Sequence, residues 1–121
     1  MTTSICLPTG SMDFDDLLLR VDGDRELMCE LLVMFKEACP ELLRILEDAA
    51  ANQDMRQVEI TAHTMNGMLA NVSALRARSA AAELERLGRE GEAGGIKAAF
   101  AALQQEIIHS LREIDDYLAR S

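Results

Sequence analysis

The sequence has no tryptophan, one tyrosine and three phenylalanines, so aromatics form 3% of a chain that is 49% hydrophobic. A core of that composition must be built from Leu, Ala, Met, Ile and Val, which suits helix packing and disfavours a β-sandwich. Cysteine is scarce and odd in number: Cys6, Cys29 and Cys39 show neither CxxC nor paired Cys/His spacing. Neither a disulfide framework nor a zinc site is thereby indicated, and reduced thiols are the simpler reading, with Cys29 and Cys39 packed as small apolar residues. Basic residues are outnumbered 12 to 21, giving a net charge of -9 without a dense Lys/Arg cluster. Such a surface repels phosphate backbones and anionic membranes, so neither nucleic acid nor membrane is expected as a partner. No apolar run approaches the roughly 20 residues of a membrane helix, and no basic start leads into an apolar signal core, which implies a cytoplasmic location. His63 and His109 are the only histidines and no HExxH pattern is present, so no metal site is expected.

What remains is a helical pattern. A length of 121 residues fits one domain. Residues 1–10 contain Thr, Ser, Pro and Gly without an apolar face and predict a flexible tail, leaving 11–121 as the domain. A short helix is predicted from Asp13 to Arg20, ended at Asp22 and Gly23. Asp24 caps a long second helix to about Ala51, with Leu27, Leu31, Met34, Ala38, Leu42 and Ile45 as its apolar stripe and either a kink or a division at Pro40. Asp54 and Gln57 have the spacing of a capping box for the third helix, which ends near Val72. Ser73 then caps a fourth, with Leu75, Ala82, Leu84 and Leu87 for packing, close approach at Ala80 to Ala82, and termination at Gly88 and Gly91. After Gly94 and Gly95, Ile96, Phe100, Leu103, Ile107, Leu111, Ile114 and Leu118 repeat along a final helix. That stripe also fits a coiled coil, but four amphipathic helices joined by short loops bury their faces most simply as an all-α, antiparallel four-helix bundle with the short N-terminal helix added.

Chemistry is concentrated in the third helix. Met55, Val58, Ala62, Met65, Leu69 and Val72 form its buried stripe, and at 100° per residue His63 lies about 130° from the stripe's centre, facing water. Arg56, Glu59, Ile60, Asn66, Gly67 and Ala70 share its side. Glycine inside a helix costs up to about 1 kcal/mol relative to alanine, so Gly67 suggests a need for close approach beside the ring.

His63, Gly67 four positions on, Val72, and the Leu84–Glu85 pair on the next helix together resemble the histidine-containing phosphotransfer (HPt) family. The likeness runs from Phe14 to Leu118, including Asp22 to Asp24 and the stretch Leu31 to Leu46. It departs at Asn66, where the family commonly has lysine, and at Ser73, where it often has glycine. Asparagine donates a hydrogen bond but no charge.

The resemblance implies a phosphorelay carrier in which His63 accepts a phosphoryl group from a receiver-domain aspartate and passes it to another receiver. Free imidazole titrates near 6.5 and therefore offers a lone pair at neutral pH. Glu85 is the candidate for orienting the ring, with Asn66 and Gly67 near the phosphoryl group. Ile60, Thr64, Met68, Ala70, Asn71 and Phe35 are the candidate partner-binding residues, while Met34 is assigned to core packing. Arg76 and Arg78 are read as solvated charges with phosphate contact as the alternative, and His109 as an ordinary surface residue. No cofactor is expected on this chain, since the resemblance places magnesium and most catalytic groups in the receiver. It also implies a phosphotransfer intermediate rather than an autonomous kinase or phosphatase. Response-regulator receivers and a hybrid histidine kinase are the expected partners of a monomeric domain. The alternative is a noncatalytic helical module for docking or oligomerisation.

Overall fold

The structure is a computed structural model that describes residues 10–120. Helices α1 (Phe14–Arg20), α2 (Arg25–Ala51), α3 (Met55–Asn71), α4 (Leu75–Glu90) and α5 (Ile96–Arg120) follow in order, with one 3-10 turn over Ala93–Gly95 before the last. The predicted tail falls outside the described residues except for Gly10, and Cys6 lies outside them too.

Helix boundaries follow local chemistry. Asp13, Asp24 and Asp54 accept from the backbone N–H three residues on, satisfying orphan donors at the starts of α1, α2 and α3. The capping box is only half formed, because the Gln57 amide donates to Thr61 Oγ1 rather than reaching back.

Helices α1 to α4 end alike, with a left-handed residue at Asp22, Gln53, Ser73 and Gly91 (φ 54° to 70°). In each turn the next N–H bonds the carbonyl five residues back: Gly23 to Leu18, Asp54 to Ala49, Ala74 to Leu69 and Glu92 to Leu87. These are Schellman closures. Ser73 is therefore not the N-cap of α4; that place belongs to Ala74, which has no side-chain cap bond. Ser73 ends α3 instead, in the backbone conformation that glycine adopts most easily.

The four long helices form a ring in which α2 meets α3 and α5, and α4 meets α3 and α5. Short turns make successive helices antiparallel. At 27 and 25 residues, α2 and α5 outrun α3 and α4, at 17 and 16. Helix α1 covers the end left open by that difference. Leu17 is fully buried, Phe14 stacks on Tyr117 of α5 at 4.7 Å, and the Asp13 N–H bonds the Ser73 carbonyl. The Ser73 hydroxyl donates to Asp16, and that bond, with the Arg20 guanidinium, holds the Asp16 carboxyl below its ordinary range. At the same end Glu113 of α5 accepts from the backbone N–H groups of Ser11 and Met12, so these residues belong to the bundle.

Helix α2 differs from its predicted stripe by one position. The buried residues are Met28, Leu32, Phe35, Cys39, Leu46, Ala49 and Ala50, whereas Leu27 and Met34 are exposed. It runs unbroken through Pro40, so the divided alternative is excluded. Burial pushes the Cys39 thiol up to about 12, and Cys39 acts as a small apolar group. Helix α5 buries Ile96, Phe100, Leu103, Ile107 and Ile114 within the bundle, which uses the stripe that a coiled coil would need.

Helix α4 packs through Ala77, Ala81, Leu84 and Leu87, while Leu75 and Ala82 remain exposed. Gly88 does not terminate the helix. It is buried inside α4, where a Cβ would lie 2.7 Å from the Glu59 amide nitrogen and 2.9 Å from the Met55 carbonyl oxygen. The neighbouring backbone cannot yield as a side chain can, so Gly88→Ala is expected to cost about 1–3 kcal/mol in chemical denaturation. Gly67→Ala serves as the contrast. A Cβ there meets nothing within 4 Å beyond its own turn, and the variant should be as stable or up to about 1 kcal/mol more stable.

Candidate functional site

His63 stands near the middle of α3 with its side chain 76% exposed, as the stripe geometry requires. The site forms because α4 runs antiparallel beside it. Gly88 lies over Glu59, and one turn earlier on α4 the Glu85 carboxylate meets the ring, with His63 Nδ1 2.9 Å from Glu85 Oε2. The Glu85 side chain is 17% exposed, so the ring rests on a carboxylate that is largely shielded from water.

The geometry selects a tautomer. A carboxylate oxygen accepts, so in the neutral ring the proton belongs on Nδ1 and the lone pair falls to Nε2. Glu85 is itself held. Its second oxygen accepts from Asn66 Nδ2 at 3.5 Å, and Asn66 Oδ1 accepts from Arg78 Nε at 3.3 Å. The reversed amide would turn N–H toward a guanidinium and oxygen toward a carboxylate, so the network fixes the orientation of Asn66.

The surroundings are open. A shallow depression around the ring is lined by Arg56, Glu59, Ile60, Thr64 and Glu85. Gly67 contacts nothing that would explain its missing side chain, leaving the surface beyond His63 low and accessible. Such a site offers a fixed nucleophile and few groups to stabilise charge on a transferred anion. Among the described residues no three His, Cys, Asp or Glu side chains are grouped as a metal site, and none of the helices is long and apolar enough to cross a membrane.

The predicted contact residues divide. Ile60, Thr64 and Asn71 are exposed, and Met68 and Ala70 are half-buried. Phe35 is buried, at 3% exposure, and is core rather than free surface, while Met34, assigned to the core, is 62% exposed. The two exchange roles because α2 is rotated by one residue from its predicted facing. Phe35 becomes the floor, and Met34 part of the rim, of an apolar groove between α2 and α3 that Leu31, Ala38, Met68, Asn71 and Val72 complete. Leu31 and Ala38 were in the predicted buried stripe; a second apolar row beside the buried one was the available signal for the groove. Arg76 pairs with Glu106 of α5 at 3.2 Å, and His109 is half-buried on α5.

The Hpt domain family model matches residues 30–118. The crystal structure of histidine-containing phosphotransfer protein B (HptB) from Pseudomonas aeruginosa PAO1 superposes with a TM-score of 0.86 at 23% identity, covering 94% of this chain and 99% of that one. No curated protein matches.

The Glu85 carboxylate should leave a spectroscopic mark. In nitrogen NMR of the His63 ring, the native chain is expected to show Nδ1–H as the dominant neutral tautomer. Glu85→Ala should return the ring to a mixture rich in Nε2–H, and an unchanged pattern would deny the carboxylate its orienting role.

Proposed function

The chain belongs to the Hpt domain family, the histidine phosphotransfer carriers of two-component phosphorelays, and from the geometry around His63 we propose that this residue is the phosphoacceptor, oriented by Glu85. The observation that carries the proposal is the 2.9 Å contact from Nδ1 to a shielded carboxylate on a largely exposed ring, an arrangement that in the neutral ring leaves the lone pair on Nε2. Nε2 attacks phosphorus directly, and Glu85 stabilises the positive charge that develops on the ring as the N–P bond forms.

The chain supplies position rather than catalysis of charge. Phosphoryl transfer ordinarily needs a metal ion and cationic groups around the transferring oxygens. We assign magnesium, the phosphorylatable aspartate and most of the charge stabilisation to the receiver that docks, while α3 holds the nucleophile on a rigid element. HPt domains interact with receiver domains and kinases, and a hybrid histidine kinase is a fitting source of the phosphoryl group. The same reading implies a cytoplasmic site of action.

Docking is assigned to the α2 side of His63. Ile60, Thr64 and Asn71 lead from the ring toward the apolar groove, where Met34 and Met68 offer adaptable thioether surface. Use of the α5 stripe inside the bundle supports a monomer over an oligomerisation module.

Incubation with a phosphorylated receiver and magnesium is expected to place acid-labile, alkali-stable phosphate on the native chain and none on His63→Gln. Equal labelling of both would sink the assignment, and no labelling of either would favour a noncatalytic docking module. Met34→Glu puts a charge on the groove without touching the core, and should weaken receiver binding about tenfold, or 1.4 kcal/mol, in calorimetry at an unchanged melting temperature.

A further inference from the structure

Fixed charge next to the His63 ring is largely acidic. Glu85 bonds the ring and Glu59 lines the same depression, and the one cation among its lining residues is Arg56. Arg56 stands seven residues before His63, about 10 Å along the helix. Transfer to Nε2 forms an N–P bond and breaks the P–O bond of the partner's acyl phosphate. The aspartate carboxylate leaves with the bonding electrons, and the Nδ1 proton stays shared with Glu85. The product places a group of roughly two negative charges on a ring already held by a carboxylate.

A second cation stands close by on α4. Arg78 donates through Nε to Asn66 Oδ1 at 3.3 Å, and Asn66 is three residues from His63, where helical neighbours lie about 5–6 Å apart at Cβ. The partner of Arg78 is a neutral amide. By contrast Arg44 is held by Glu41 and Asp48, and Arg86 by Glu83, Glu90 and Glu92. We propose that Arg78 is the cation that stabilises the phosphoryl group on His63, kept within reach by Asn66 until the group arrives.

The energetics favour the exchange. A long bond to a neutral amide is given up at little cost, whereas a guanidinium bond to a phosphoryl oxygen is charge-assisted and about twice as strong as a neutral one. Asn66 serves both partners, donating to Glu85 and accepting from Arg78. The missing charge at position 66 is thus supplied from the neighbouring helix.

This assignment rests on His63 as phosphoacceptor, and one experiment separates the two. The full chain is phosphorylated by a phosphorylated receiver domain with magnesium, purified, and its phosphohistidine resonance titrated by phosphorus NMR. A cation beside the phosphoryl group favours its fully ionised form, so Arg78→Ala should raise the protonation midpoint by about half a pH unit. Asn66→Lys added to Arg78→Ala should restore at least half of that shift. Arg112→Ala, which removes equal charge from α5 across the bundle, should move it little. An unmoved midpoint in Arg78→Ala, an equal shift in Arg112→Ala, or no restoration by lysine would each overturn the role of Arg78. His63→Gln reports on the underlying reading alone: it should show no phosphohistidine resonance, and a persistent one would place the acceptor elsewhere.

Discussion

The approach of α3 to α4 at Gly88 is the constraint from which the site follows. With no side chain there, α4 lies so close to α3 that a Cβ at Gly88 would fall within 3 Å of the Glu59 amide nitrogen and the Met55 carbonyl oxygen, and Ala77 and Ala81 are fully buried farther along α4 toward the turn. Antiparallel helices in such contact have little freedom to slide, because a shift would drive larger side chains into the gap left for small ones. The register set at Gly88 and Glu59 therefore brings Glu85 to His63 one turn on, and Arg78 to Asn66 farther along. The Schellman closure at Ser73 fixes the same register from the other end, where α1 locks over it through Asp13 and Asp16.

The two sides of His63 are built for different tasks. Toward α4 the neighbours are polar and tied to one another, so the ring is held while its side chain remains largely exposed. Toward α2 the surface is apolar and loosely filled, with methionine at the edge of a groove whose floor is Phe35. A ring held on one side and an apolar, adaptable surface on the other fit the proposed roles of phosphoacceptor and docking face. In the proposed reaction the acidic balance of the chain leaves charge stabilisation to the receiver and to Arg78.

Much of this was legible in residue order. The third-helix stripe put His63 in water, aspartates marked three helix starts, and the family resemblance singled out Glu85, which lies 2.9 Å from the ring. The misreadings have two causes. Helix α2 carries two adjacent apolar rows, and periodicity locates an apolar sector without saying which edge of it is covered. Ser73 and Gly88 were misread because a serine or glycine near a helix end has several uses. Only the left-handed backbone at Ser73 and the contact against Glu59 select among them.

Sequence alone determined that the chain is helical, that His63 faces outward, and which family pattern surrounds it, because these depend on residue order, on local propensity and on periodicity along one helix. Tertiary structure decided that Glu85 reaches the ring, that Met34 and not Phe35 stands at the surface, and that Arg78 meets Asn66. Each of these depends on the rotation and register of one helix against another. Those are set by the fit of small residues at the α3–α4 seam and of whole faces around the bundle, information that no single helix carries in its own sequence.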